Sequence, residues 1–251
     1  MDIRQKIDKE FDRQAKRLST IKSFSIERYV KIAEGYAVIE NVLAVLSNLN
    51  RKESVVFHGK FSQILDINPK ECSGLIPSIW EDEIFKIIHP EDLEMKLFQE
   101  LLFFHYINRL PQKRRFDQCL MQRLRMRSKS GEWVEVLHRL YYMPDSDNKS
   151  AGFALCLYGA MTTQFNGSSA VIDTMTGQIS VLDSSTGCKI LSRQEVAVLK
   201  LIDSGNRSRG IADILNISIH TVSRHRQNII AKLKVRNSVE ACKIARSLAI
   251  L

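Results

Sequence analysis

Between residues 219 and 233 the side chains able to carry chemistry collect on one side of a helical repeat. At about 100° per residue, Val222, Ile229 and Leu233 lie close together, and His220, Arg224, Gln227 and Ala231 lie opposite, with Ser223 and Asn228 at the flanks. Arginine pairs with the acceptor edge of guanine, and glutamine or asparagine with adenine, so this polar face has the composition of a surface that reads double-stranded DNA. Arg207 and Arg209 at the start of the preceding segment, and Lys232, Lys234 and Arg236 at the end of this one, are expected to meet phosphates, which fix register without reading sequence.

A solvated helix face can have the same polarity, so the neighbouring elements must decide. Ser192 with Glu195 three positions later forms the capping-box pattern, and Val198, Leu199 and Ile202 give the helix that follows a buried side, with Gly205 to stop it. Ser208 opens a short helix with Ile211, Ala212, Ile214 and Leu215 apolar, and only Asn216-Ile217 precede Ser218, the expected N-cap of the next helix. Two short helices joined so tightly must cross steeply, which sets the second one proud enough to enter a major groove. The charge agrees: of a net +9, residues 191–251 hold eleven Lys/Arg against four Asp/Glu. A basic segment of that size suits a polyanion.

Leu191-Ser192-Arg193-Gln194-Glu195, Val198-Leu199, Gly205, Ile211-Ala212, Ile217-Ser218-x-x-Thr221-Val222, His225, Asn228-Ile229, Lys232-Leu233 and Val235-Arg236-Asn237 together resemble the LuxR-type helix-turn-helix domain. The resemblance covers residues 191–251. It implies an all-α domain of four helices whose third is the reader, with Ser223, Arg224 and Gln227 facing the bases and Arg207, Arg209, His220, Thr221, Asn228, Lys232, Lys234 and Arg236 at phosphates or flanks. It also implies double-stranded DNA, RNA polymerase and a second copy of the chain as partners. The fourth helix, expected over Ser238 to Ile250, would offer Ala241, Cys242, Ala245, Leu248 and Ala249 to that second copy. Two positions depart from the family: Gly210 stands where Glu is usual, and Ser223 is smaller than the Lys often found there. They are the best support for the alternative, a protein-interaction adaptor that has kept the shape without sequence-specific DNA binding.

The first 190 residues are mixed α+β. Ile3, Ile7, Phe11 and Ala15 recur every four residues, and a second periodic stretch runs from Tyr29 to Leu49, so residues 1–49 are read as a helical segment. Glu53 to Asp66 is expected to be a short strand pair turning at Gly59, and Trp80 to Leu110 to be helical, with His89-Pro90-Glu91-Asp92 at a helix start. From Asp117 the period becomes two: Leu120, Leu124 and Met126 alternate with Arg123, Arg125 and Arg127. Ser130-Gly131 turns into a second strand from Trp133 to Met143. A third strand follows over Gly152 to Tyr158, and Val171-Ile172 and Ile179–Leu182 make a terminal hairpin. Helices followed by three antiparallel strands, with Ile88-His89-Pro90-Glu91-Asp92 before a helix and Arg125-x-x-Ser128-Lys129-Ser130-Gly131-Glu132-Trp133-Val134 across a hairpin, look similar to the PAS fold. The expected domains are therefore 1–49 helical, 50–160 a PAS-like sensor, 161–190 hairpin and linker centred on Ser184-Ser185-Thr186-Gly187, and 191–251 helix-turn-helix. The resemblance implies a pocket between sheet and helices that holds haem, flavin, a metabolite or nothing. No particular cofactor is expected beyond an unidentified small ligand. His89 and His105 read as structural rather than haem ligands, and Trp133, Tyr141 and Phe153 as core.

An enzyme is not expected, because the chain has no phosphate-cradling Gly-x-x-x-x-Gly-Lys loop, no Gly-x-Ser-x-Gly elbow and no His-Glu-x-x-His pair. The five cysteines form no Cys-x-x-Cys pair, which argues against a zinc or thioredoxin-like motif. With neither a signal-peptide pattern nor a long apolar span, a cytoplasmic location with no membrane contact is the expectation.

Overall fold

The computed structural model describes residues 3–15, 26–68, 74–145, 150–163, 165, 167–180, 191–233, 235, 237–247 and 251. They fall into two compact units, one of residues 4–180 and one of residues 181–251 with the first three residues. The first unit contains α1 (Ile3–Ala15), α2 (Ile26–Ile39), β1 (Leu43–Asn48), β2 (Glu53–His58), β3 (Gly74–Ile76), α3 (Asp82–Ile87), α4 (Pro90–Arg109), β4 (Gln118–Arg127), β5 (Trp133–Pro144), β6 (Ala151–Ala160), β7 (Ser169–Asp173) and β8 (Ile179–Ser180). Its strands form one antiparallel sheet in the order β3-β2-β1-β6-β5-β4-β7-β8.

Alternation along the strands divides the core between the two sheet faces. On one face Ala44, Leu46, Phe153, Leu155 and Leu157 pack against Tyr29, Ala33 and Ala37 of α2. The other face is the one α4 covers: Gln122 of β4 donates to the Lys96 carbonyl and to the Gln99 side chain. Register places Gln122 opposite His138, and His138 opposite Tyr158, so three polar side chains stand in a row across β4, β5 and β6 on that buried face. The α4 start is fixed twice over. His89 caps it through the Glu91 amide, and Asp92 accepts from the backbone amide and guanidinium of Arg125. Burial works to raise the Asp92 pKa, but these hydrogen bonds outweigh it and hold the carboxyl below its ordinary value.

Several expectations need correction. Residues 43–48, read as the end of a helix, are β1, buried along its whole length in the sheet. Such a run is apolar on both faces, so its periodicity does not distinguish strand from helix. Asn41, at φ 57°, breaks the chain out of α2 just before it. Glu53 to Asp66 supplies one strand followed by a helical turn at Lys60–Gln63, not a strand pair. Gly59 is held there by proximity, since a Cβ would lie 2.3 Å from the Ala37 carbonyl oxygen. The hairpin of β7 and β8 is continuous with the sheet through β4, so the sheet begins before residue 50 and ends after residue 160. Trp133 is no core residue; it is 47% exposed and packs edge-on against His89. The expected linker at 184–187 lies outside the described residues.

The second unit is helical: α5 (Arg193–Asp203), α6 (Ser208–Leu215), α7 (Ile219–Leu233) and α8 (Ser238–Ser247). Val198 and Leu199 of α5, Ile211 and Ala212 of α6, Val222, Ile229 and Leu233 of α7, and Ala241 and Ala245 of α8 are its buried centre.

Candidate nucleic-acid interface

The helix-turn-helix is set by local chemistry. Ser192 accepts from the Glu195 amide while Glu195 Oε2 accepts from the Ser192 amide at 2.6 Å, a complete capping box at the start of α5. Asn216 adopts the left-handed conformation, φ 52° and ψ 46°, and closes α6 through its amide. Asparagine tolerates that region because its short polar side chain adds little steric cost. Ser218 accepts from the Thr221 amide at 3.0 Å and so caps α7. The chain thus passes from α6 to α7 over three residues.

The α7 wheel holds. Val222, Ile229 and Leu233 are buried, while His220, Arg224, Gln227, Asn228 and Ala231 are exposed and Ser223 and Thr221 are half-buried. Arg224, Gln227 and Asn228 make no side-chain hydrogen bond or ion pair with the described residues, so their donors and acceptors point outward uncommitted. Arg207 and Arg209 are likewise exposed at the α6 start. Lys232 differs. Its ammonium sits 2.6 Å from Glu195 Oε2, whose side chain is only 3% exposed, and this pair joins α7 to α5. Burial pushes the Glu195 carboxyl up, but Lys232 and the Ser192 amide bring its pKa below the ordinary glutamate value. Lys234 and Arg236 lie outside the described residues.

Sequence reasoning missed two positioning residues. Arg226 donates to the Ser208 and Ser238 hydroxyls, at 2.9 and 3.2 Å, tying α7 to the first residues of α6 and α8. Arg246 pairs with Asp203 and holds α8 to α5. Neither could be inferred from local pattern, because each partner lies more than ten residues away. The α8 face expected for a second copy is also corrected. Ala241, Cys242 and Ala245 are buried within the unit, where small side chains let α8 approach its neighbours, and Val239 and Lys243 face outward. Leu248 and Ala249 lie outside the described residues.

Residues 189–245 match the family model of bacterial regulatory proteins of the luxR family. The C-terminal domain is a LuxR-type helix-turn-helix. Over 65 residues the chain is 37% identical to the oxygen regulatory protein NreC of Staphylococcus epidermidis, covering 26% of this chain and 30% of that protein. It is 38% identical over 63 residues to the fimbriae Z protein of Escherichia coli K12, covering 25% of this chain and 30% of that protein. The chain therefore spans under a third of the length of these relatives. A phage VqmA solved with DPO is 11% identical over 89% of this chain and 91% of that one, at a TM-score of 0.34. SdiA of Escherichia coli is 12% identical over 96% and 98%, at 0.28. Likeness that slight transfers neither ligand nor mechanism to the sheet unit.

The sheet unit contains its own polar centre. A small cleft of about 50 Å³ is walled by Ile7 and Phe11 of α1, Trp80, Phe85, Leu140 and Tyr142, with Glu81, Lys96, Glu100 and Cys156 at its polar end. Lys96 Nζ lies 2.6 Å from Glu100 Oε1, and Tyr158 donates to Glu81 Oε2 at 2.8 Å. Burial raises the Glu81 pKa against the opposing pull of Lys96 and Tyr158. Burial would lower the Lys96 pKa, but Glu100 and Glu81 outweigh it and the ammonium is retained. His138 is held well below its usual value by burial and then by the charges of Lys96 and Arg139, so its ring is neutral. Lys96, Gln99 and Glu100 are not singled out by the sequence, which reads Trp80 to Leu110 as helical. The available signal was polar residues, Gln122 and His138, on the inward face of otherwise apolar strands.

Proposed function

We propose that the protein is a sequence-specific, DNA-binding transcription regulator in which the sheet unit senses a signal and controls the helix-turn-helix. The observation that carries this reading is the outer face of α7, where Arg224 and Gln227 stand exposed with no described partner on a helix whose opposite side is fully buried. Ser223, Arg224 and Gln227 read base edges. Arg207, Arg209, His220, Thr221 and Asn228 lie at phosphates or flanks, together with Lys234 and Arg236, and Lys232 reaches phosphate only by sharing its charge with Glu195. Two copies bind a pseudo-palindromic site with their α7 helices in successive major grooves about one turn apart. Exposed Val239 on α8 and the exposed Ile32, Tyr36 and Ile39 of α2 support a second copy. The antiparallel sheet with a cleft beneath its helices supports a PAS-like sensor of a small ligand, and RNA polymerase is the partner through which such a regulator acts. Among the described residues no helix is long and apolar enough to cross a membrane, which suits work in the cytoplasm.

The test is selection from a randomised double-stranded library at moderate salt by the full chain and by Arg224→Ala. Enrichment of a two-fold site that the variant loses supports the reading. Retention without an enriched site, equal in both proteins, overturns it in favour of an adaptor.

A further inference from the structure

The polar centre of the sheet unit contains a ligand set that DNA binding does not use. Glu100, His138 and Cys156, all buried, place one carboxylate oxygen, one imidazole nitrogen and one sulfur within 4.8 Å of one another. Glu100 Oε1 and His138 Nε2 are already 3.8 Å apart. A tetrahedral zinc ion with bonds of about 2.0–2.3 Å holds its ligand atoms roughly 3.5 Å apart, so only a small contraction is needed.

The state of His138 makes the set more than a coincidence of polar residues. The Gln122 amide nitrogen donates to the Lys96 carbonyl and to Gln99, so its oxygen is the atom facing His138 Nδ1 at 2.7 Å. A carbonyl oxygen can only accept, so Nδ1 carries the proton and Nε2 presents a lone pair. That lone pair is fully buried, finds no hydrogen-bond partner among the described residues, and points toward Glu100 and Cys156. A metal-ligating histidine has this arrangement, its second nitrogen donating to an oxygen that fixes tautomer and ring orientation. Tyr158 stacked 4.6 Å from the ring adds a second constraint.

We infer that Glu100, His138 and Cys156 form a binding site for a thiophilic divalent cation, zinc by ligand type, with its fourth position open to the cleft. Lys96 and Glu81 are the charged neighbours of the set: the ammonium lies 2.6 Å from Glu100 Oε1, and Glu81 stands at the same end of the cleft. Glu100 Oε1 is the oxygen nearest both Lys96 and His138, so an incoming ion shares it with the ammonium or displaces the ammonium from it. The absence of a Cys-x-x-Cys pair is no obstacle, because the ligands come from α4, β5 and β6 and are joined by register and packing rather than by local spacing. The inference goes beyond the DNA-binding reading and does not rest on it.

The experiment uses the reduced, chelator-treated full chain without DNA, titrated with cobalt(II) and then zinc(II). One equivalent of cobalt should give tetrahedral visible bands and a thiolate charge-transfer band in the near ultraviolet, both removed by zinc. Cys156→Ser and Cys156→Ala should abolish the charge-transfer band. His138→Gln and Glu100→Gln should weaken binding at least tenfold, and Gln122→Met, which removes only the group orienting His138, by about 10- to 100-fold. Circular dichroism and melting of each metal-free variant establish that it folds. No stoichiometric cobalt spectrum in the wild-type chain, or a charge-transfer band that survives in a folded Cys156 variant, overturns the site.

Discussion

The two units dispose of their polar groups in opposite ways. In the helix-turn-helix Arg224 and Gln227 face outward with no described partner, and the fold behind them is held by caps, apolar contacts and the bonds of Arg226, Lys232 and Arg246. In the sheet unit Lys96, Glu100, His138 and Gln122 are turned inward and bonded to one another. Buried charge is expensive to desolvate and tolerates no missing partner, whereas an exposed face can lose a residue at little structural cost. Substitutions on the outer face of α7 should therefore alter binding at constant stability, and those in the inward cluster of the sheet unit should alter stability first.

The largest effect expected from that contrast is at Lys96. Lys96→Ala leaves Glu100 buried and unpaired and should destabilise the sheet unit by about 3–5 kcal/mol, read as a lowered melting temperature, while the paired replacement Lys96→Met with Glu100→Leu should recover most of the loss. A Lys96→Ala melt near that of wild type would mean the cluster is far wetter than its geometry implies. Next comes Arg224→Ala, expected to cost about 1–3 kcal/mol of discrimination at one base pair with the melting curve unchanged; gel-shift titrations against single-site variants of the selected sequence measure it. Ser192→Ala should destabilise the helix-turn-helix by about 0.5–2 kcal/mol by removing the α5 cap.

Acid should weaken the same corner. The Glu195 pKa is lower in the folded chain than in the unfolded one, so its contribution is present above the ordinary glutamate range, near 4.3, and is lost as pH falls through the folded value. In Glu195→Gln, melting of this unit between pH 6 and pH 3 (roughly the window that spans both values) should depend less on pH. The smallest effect belongs to Gly210→Ala. A Cβ there would come no closer than 3.8 Å, to Asn206 Oδ1, so the change should stabilise α6 by up to about 1 kcal/mol in denaturant titrations.

How much of this could be read from the residues also differs between the units. The capping box, the α6–α7 corner and the α7 wheel are local patterns spanning a few residues, and each stands in the structure where its spacing placed it. The pairing of Lys232 was not legible, because a lysine at a helix end looks the same whether it meets solvent, phosphate or a buried glutamate thirty-seven positions earlier. In the sheet unit the amphipathic helices and the alternating β4 were legible, but β1 was not, since a strand covered on both sides lacks a polar phase. The inward cluster was harder still. Its members come from α4, β4, β5 and β6 and the loop before α3, and only strand register and helix docking bring them together.

The left-handed Asn216 gives the C-terminal domain freedom of another kind. The corner between α6 and α7 is made by backbone handedness and the Ser218 hydroxyl cap, and Ser223, Arg224 and Gln227 take no part in it. Scaffold and alphabet are thus written in separate letters. If Ser223, Arg224 and Gln227 read bases as proposed, a lineage can exchange them and change the sequence it recognises without refounding the domain, whereas a branched residue at 216 would strain this corner whatever its outer face had become.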